Sequence, residues 1–97
     1  YPDALRRTKS KGYMAFITGN HDVMRIRRWR SMRDVELAFA FVLTMPGVPF
    51  LYYGDEIGMQ YQEKRVSKEG GYDRTGSRTP RQWDSTTNAG FSTSAPG

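Results

Sequence analysis

Three polar residues end an apolar run in the stretch FITGNHDVMRI, where Gly19 is followed by Asn20, His21 and Asp22. An imidazole such as that of His21 can donate a hydrogen bond to a hydroxyl or act as an acid or base near pH 7. A carboxylate such as that of Asp22, where it lies among other carboxylates, suits glycoside hydrolysis or metal-assisted chemistry. If the run is a strand, these groups lie at its carboxyl end, where parallel α/β folds keep their chemistry. The alternative is a polar turn whose Asn and Asp side chains bond to their own backbone.

Two further carboxylates follow a second apolar run, VPFLYYG, which occupies residues 48–54 and is followed by Asp55 and Glu56. The carboxyl ends of parallel strands meet at one edge of a sheet. If both runs are strands of that kind, Asp22, Asp55 and Glu56 collect at the same edge. The sequence therefore predicts a cluster of three carboxylates there.

The elements that would position these groups are two strands and a helix. Residues 13–18 form a short apolar run between Gly12 and Gly19, which is typical of a buried parallel strand. Ser31, with Asp34 three residues later, predicts the cap of a helix over about residues 32–45. One face of that helix is apolar, and Pro46 with Gly47 ends it; the apolar positions are Val35, Ala38, Phe39, Val42 and Met45.

Strand, helix and strand in this order predict a crossover between parallel strands. Two parallel strands do not make a stable sheet, so further strands are expected in sequence outside this chain. The apolar residues crowd into residues 13–59, whereas residues 60–97 are rich in Gly, Ser, Thr, Lys and Arg. From Asp55 onward the pattern predicts no second helix. A stretch of this length is either an active-site loop or disordered, and Tyr72, Trp83 and Phe91 favour an active-site loop.

Composition excludes several classes of function. With 97 residues the chain is one small domain or part of a larger one, and it has no cysteine for disulfides or Cys-ligated zinc. A single histidine argues against a zinc site, and no run is long enough to span a membrane. The N-terminal stretch YPDALRRTKSKGY lacks Met and an apolar signal core, so we expect a chain entered in mid-sequence and a cytoplasmic location.

A net charge of +5, concentrated in RIRRWRSMR over residues 25–33, makes nucleic acid or another polyanion a partner to consider. The alternative is a solvated helix start, which is the commoner origin of such a run. No nucleic-acid motif accompanies the charge. We therefore expect no nucleic-acid partner and no membrane partner.

Three stretches together resemble the α-amylase family of glycoside hydrolases: FITGNHDVMR, MPGVPFLYYGDEIGM and RTGSRTPRQWDSTTNAGFS. The last is most similar to the α-glucosidase, oligo-1,6-glucosidase and trehalose synthase branch. The resemblance implies an α/β fold class, a fragment of a (β/α)8 TIM barrel. Residues 13–18 would be strand 7, about 32–45 helix 7 and 49–53 strand 8, followed by the long loop. Residues 1–97 would be the C-terminal part of one incomplete catalytic domain.

The resemblance also implies residue roles. Asp22 would be the catalytic carboxylate that stabilises the transition state, and His21 would bind glucose hydroxyls beside it. Arg74 and Arg78 match the paired substrate-binding arginines of the α-glucosidase branch. The nucleophile and general acid of the family have no match in this chain.

Other positions carry structural expectations. For Arg74 and Arg78 the alternative to substrate contact is an ion pair with Asp73 or Asp84 that staples the loop. Asp55 and Glu56 fall in the family's YGDE segment, to which the resemblance gives a structural role. Arg81 stands where the family usually has Met, which changes the packing expected around Trp83. No cofactor and no metal are implied.

The sequence thus predicts part of a retaining α-glucoside hydrolase acting on α-linked gluco-oligosaccharides, inactive as a fragment. An alternative within the family is an intramolecular isomerase such as a trehalose synthase, in which water is kept from the glycosyl-enzyme intermediate. A small basic nucleic-acid-binding module is the alternative of a different class.

Overall fold

The computed structural model describes residues 1–70 and 72–95. Within these residues there are three α-helices, two turns of 3-10 helix and a pair of short strands. In chain order the main elements are helix α1 (Pro2–Thr8), strand β1 (Ala15–Ile17), helix α2 (Met32–Thr44), strand β2 (Val48–Phe50) and helix α3 (Tyr72–Thr75). Single turns of 3-10 helix lie at Asp55–Ile57 and Thr87–Gly90.

The two strands are parallel neighbours, as the sequence predicts, with Ala15 opposite Val48 and Ile17 opposite Phe50. Both are shorter than predicted. At the carboxyl end, the backbone N–H of Tyr52 donates to the Thr18 hydroxyl at 3.0 Å instead of to a strand carbonyl. This side-chain bond ends the ladder and directs the chain after β2 towards the turn after β1.

Helix α2 begins where its cap predicts. The Ser31 hydroxyl accepts from the Asp34 backbone N–H at 3.2 Å, and the Asp34 carboxylate accepts from the Ser31 N–H at 2.8 Å. Val35 and Val42 are its buried residues. The helix ends one residue earlier than predicted, because Met45 precedes a proline and takes an extended backbone (φ −78°, ψ 140°).

Helix α1 was not predicted by the sequence analysis. Its local signals are ordinary ones: proline in the first turn, Asp3 near the N-terminal end of the helix dipole, and Arg6 and Arg7 in the last turn. The helix buries none of its residues. It therefore forms from local preferences, with little packing to support it.

Few apolar side chains in the described part of the chain are buried: Val35, Val42, Met59 and Tyr61. Large apolar groups on α2 and β2 are exposed, including Leu37 at 72% and Phe50 at 56%. Such surface is expected of a strand–helix–strand unit that packs against further strands and helices. In residues 1–70 and 72–95 no helix combines the length and the apolarity needed to cross a membrane.

The segment after β2 contains two single helical turns and the four-residue α3, and no longer helix within its described residues. The expectation of no second helix fails only for these short turns. The segment folds back over the carboxyl ends of both strands, where Arg78 donates to the His21 carbonyl at 2.9 Å. This placement agrees with an active-site loop rather than a disordered one.

Candidate active site at the carboxyl edge of the strands

Asp22 is the centre of a cluster of charged groups beyond the end of β1. One carboxylate oxygen, Oδ1, accepts from Arg74 Nη1 at 2.8 Å and from Arg78 Nη2 at 3.1 Å. The other, Oδ2, lies 3.3 Å from His21 Nε2. All four residues that the resemblance assigns to catalysis or substrate binding are thus brought together, although 52 and 56 residues separate Asp22 from the two arginines.

The polar turn at this point also exists. Asn20 Oδ1 accepts from the Asp22 backbone N–H at 2.8 Å, which fixes the turn that presents the carboxylate. About half of the Asp22 side chain is exposed. The turn and the charged cluster are therefore compatible interpretations of the same residues, and the carboxylate stays open to a ligand.

The negative charge of Asp22 is stabilised by the residues around it. The hydrogen bond from Arg74 is the largest influence, and the charges of His21, Arg74 and Arg78 add to it. Together they outweigh partial desolvation and hold the pKa of the Asp22 carboxyl below its usual value of 3.8. At neutral pH Asp22 is an anion, which suits stabilisation of positive charge.

The two arginines belong to a segment, residues 73–79, which we call the arginine segment. Three tyrosine hydroxyls donate to its backbone carbonyls. Tyr61 donates to Asp73 O at 2.6 Å, Tyr52 to Ser77 O at 3.2 Å and Tyr53 to Thr79 O at 2.7 Å. Burial raises the pKa of Tyr52 to about 12, so its hydroxyl remains a donor across the ordinary pH range. The path of the segment is therefore set by hydrogen bonds to its backbone.

Close packing at Gly76 adds to these bonds. The Gly76 carbonyl accepts from the Gln62 backbone N–H at 3.1 Å. A Cβ at this position would overlap the Gln62 carbonyl oxygen and lie 2.8 Å from the Tyr61 ring. Only glycine fits, because the segment lies directly against its neighbours here.

Asp55 takes no part in this cluster. Its side chain is fully buried, and it pairs with the equally buried Arg25, whose Nη1 donates to Asp55 Oδ1 at 3.2 Å and to the Tyr53 carbonyl at 2.7 Å. The guanidinium carbon lies 5.1 and 4.8 Å from the ring centroids of Tyr52 and Tyr53. Burial is the main influence and raises the pKa of Asp55, while Thr18 and Arg25 oppose it. This pair joins the turn after β1 to the turn after β2.

Glu56 is also engaged elsewhere, so the three carboxylates predicted at this edge each bind a different arginine rather than acting as one cluster. Its Oε1 accepts from Arg81 Nε at 2.6 Å, and the Arg81 guanidinium carbon lies 4.1 Å from the centroid of the Trp83 ring. Arginine at this position therefore stacks on Trp83 and neutralises Glu56. Strand ends alone could not reveal that Asp55 turns inward and Glu56 towards the loop.

Arg74 and Arg78 do not form the loop-stapling pairs considered above. Within the described residues their ion pairs go to Asp22, and Arg78 also lies 3.8 Å from Glu69. Asp84 instead accepts from its neighbour Thr86, through the backbone N–H at 2.8 Å. The arginines therefore link the loop to the strand end.

The basic run contributes to internal structure. Arg25 is buried on Asp55, and Arg28 donates two bonds to Glu63, at 2.9 and 3.1 Å, with its guanidinium between the rings of Trp29 and Tyr61. Sequence reasoning missed both partnerships. The available signal was Trp29 within the run of arginines, which favours stacked guanidinium groups. The described part of the chain has no group of three or more acidic or histidine side chains placed to hold a metal ion.

Comparisons with known proteins identify the family of the chain. The family model described as alpha amylase, catalytic domain, matches residues 3–96. Maltase A2 of Drosophila melanogaster is 38% identical over 77 residues, covering 79% of this chain and 14% of that protein. The alpha-glucosidase of Culex pipiens is 35% identical over 79 residues, covering 81% and 13%. The trehalose synthase/amylase TreS of Mycobacterium tuberculosis is 52% identical over 64 residues, covering 66% and 10%.

No solved structure matches the chain. The chain spans only about a seventh of the length of the first of these relatives. The family's catalytic domain implies a (β/α)8 barrel, and a parallel strand pair joined by a helix is consistent with part of one. The chain belongs to the α-amylase family, in the branch of the α-glucosidases, maltases and trehalose synthases.

Proposed function

We propose that this chain is the end of the catalytic barrel of a retaining α-glucosidase that acts on α-linked gluco-oligosaccharides. In this proposal β1 is the seventh barrel strand, α2 the seventh helix and β2 the eighth strand, followed by the loop that carries the arginine segment. The observation that carries it is the convergence of His21, Arg74 and Arg78 on Asp22. The names of the relatives supply the substrate class.

Asp22 acts in this proposal as the stabiliser of the transition state. Cleavage of an α-glucoside passes through an oxocarbenium-like state in which the hydroxyls of the reacting glucose become more acidic. An ionised carboxylate that accepts from those hydroxyls binds this state more tightly than the ground state, which raises kcat. Oδ2 of Asp22 is the oxygen placed for this, since Oδ1 already accepts from both arginines.

The remaining residues of the cluster keep that carboxylate ionised and bind the sugar. His21, beside Oδ2, is placed to bond a hydroxyl of the same glucose. Arg74 and Arg78 keep Asp22 ionised and offer their other N–H groups to the substrate. A carboxylate nucleophile and a carboxylic general acid, which form and hydrolyse the glycosyl-enzyme intermediate, would come from earlier strands of the barrel outside this chain.

The test is Asp22→Asn in the complete enzyme. We expect kcat to fall about a hundredfold or more, because one preorganised electrostatic partner of the transition state is lost. KM should change much less, because the charge acts mainly after the ground state. Asp3→Asn is the matched control: Asp3 also pairs with an arginine, Arg6, at 3.0 Å, but lies in α1 away from the cluster. A rise in KM with unchanged kcat would show that Asp22 only holds substrate.

Intramolecular isomerisation is the second candidate, favoured by the 52% identity to a trehalose synthase/amylase over 64 residues. The same carboxylates would serve, and the released glucose would be recaptured by the glycosyl-enzyme in place of water. Product analysis of the complete enzyme with maltose distinguishes the two. A hydrolase gives two glucose molecules per maltose, whereas an isomerase gives a rearranged disaccharide without net consumption of water.

A further inference from the structure

Ser77 is a fully buried polar residue between the two arginines, and the proposed function assigns it no role. Its hydroxyl donates to the Val23 carbonyl at 2.6 Å, across 54 residues of sequence. Val23 directly follows Asp22. The bond therefore joins the arginine segment to the backbone that carries the central carboxylate.

The position of Ser77 is fixed from several sides. Its carbonyl accepts from the Tyr52 hydroxyl at 3.2 Å, and its backbone N–H donates to the Arg74 carbonyl at 3.0 Å. The preceding Gly76 lies in close contact with Tyr61 and Gln62. A residue held in this way can keep the arginine segment at a fixed distance from the backbone at Val23.

The ion pairs and the arginine hydrogen bond that the described residues form between these segments are of a different kind. They run from Arg74 and Arg78 to Asp22 and to the His21 carbonyl, through side chains of which 33–51% is exposed. Exposed ion pairs on long side chains hold geometry weakly, because water competes for them and the side chains keep other conformations. The buried Ser77 bond is short and neutral and uses a short side chain. It is the contact suited to setting the register of the two segments.

We propose that Ser77 is a positioning residue: its hydroxyl sets the arginine segment at the distance from Asp22 at which Arg74 meets both the carboxylate and the sugar. The inference rests on the proposed function, since it takes Arg74 and Asp22 to act on substrate. Ser77 itself touches no substrate. Its effect on turnover passes through Arg74.

A double-mutant cycle in the complete enzyme tests this inference. Ser77→Ala should lower kcat/KM about fivefold, the rate equivalent of one neutral hydrogen bond. In an Arg74→Ala background the same substitution should lower it by less than about twofold, because its effect passes through Arg74. Ser77→Cys, which keeps the volume and a weak donor, should fall between wild type and alanine.

Ser67→Ala is the matched control. The Ser67 hydroxyl also donates to a backbone carbonyl at 2.6 Å, that of Gly70, but it joins no other segment to the site. This variant should leave kcat/KM unchanged. Equal losses from Ser77→Ala in both backgrounds, or a lowered melting temperature with unchanged kcat/KM, would make Ser77 a structural residue and overturn the inference.

The cycle also separates this inference from the proposed function. If Arg74→Ala leaves kcat/KM unchanged, Arg74 does not act on substrate, and the positioning role falls with the proposed one. If Arg74→Ala lowers kcat/KM and Ser77→Ala does not, only the positioning role is wrong. Should Ser77→Ala fail to fold, Ser77→Cys carries the same comparison in both backgrounds.

Discussion

Replacing Arg74 by alanine in the complete enzyme removes the guanidinium that lies closest to Asp22. A guanidinium has five N–H donors. In this structure Nη1 donates to Asp22, and the buried Nε has no partner among the described residues. Because 38% of the Arg74 side chain is exposed, the remaining N–H groups at the end of the guanidinium can reach a ligand. The proposed ligand is the terminal glucose of the substrate, which offers several hydroxyls.

The expected loss of kcat/KM in Arg74→Ala follows from the hydrogen bonds that these donors can make. A hydrogen bond from a charged group contributes about 1.5–3 kcal/mol when its partner is well placed. Partial exposure, here 38% of the Arg74 side chain, reduces that figure because water competes for the same donors. One such bond in the transition state still amounts to about 1.4 kcal/mol, which is a tenfold change in rate. We therefore expect kcat/KM to fall at least about tenfold.

The assay is steady-state hydrolysis of a small aryl α-glucoside, which has a single glucose to bind. Arg6→Ala is the control, because Arg6 also forms an exposed pair with an aspartate, Asp3, but lies in α1. It should leave kcat/KM within about twofold of wild type. If both variants kept equal kcat/KM and differed only in melting temperature, Arg74 would serve the loop and the reasoning about its donors would be wrong.

Two further predictions follow from the charged groups. Asp55→Ala leaves Arg25 buried without its partner and should destabilise the complete enzyme by about 3–5 kcal/mol. The double variant Arg25→Met with Asp55→Leu should recover most of that stability, measured by thermal unfolding. Equal melting temperatures for wild type and Asp55→Ala would contradict this. The pKa of Asp22 is lowered in the folded protein, so its ion pairs are complete above the unfolded pKa and are lost as the pH falls through the lower folded value. Arg74→Ala should move that pKa up towards 3.8, which carbon NMR of a labelled Asp22 carboxyl can follow; an unmoved titration would show that Arg74 is not its main partner.

Much of the fold can be predicted from local sequence. Ser31 and Asp34 begin α2, and the proline after Met45 ends it, because capping and proline act on the residues beside them. The lengths of the strands could not be predicted in this way. Where β1 ends depends on the Thr18 hydroxyl meeting the Tyr52 N–H, a contact between residues 34 apart.

The site shows the same division. A strand end and a recognisable motif predict Asp22 and His21 as candidates, and the third matched stretch predicts the two arginines. That both arginines bind Asp22 was not predicted, because it depends on how the loop folds back. Arg25 was counted within a basic surface run, since net charge does not reveal that a guanidinium is buried against Asp55 and two tyrosine rings.

The three tyrosines that hold the arginine segment donate to its backbone carbonyl oxygens. Every residue type has such a carbonyl, so evolution can replace Asp73 or Thr79 without removing the bonds that Tyr61 and Tyr53 make there. The bonds that hold the backbone of the segment therefore do not depend on which side chains the segment carries. The side chains of this loop can therefore vary while its backbone path, and with it the position of the two arginines, is kept. For enzyme engineering, Asp73 and Thr79 are the positions of the segment to randomise, and the tyrosines and the two arginines are the positions to leave alone.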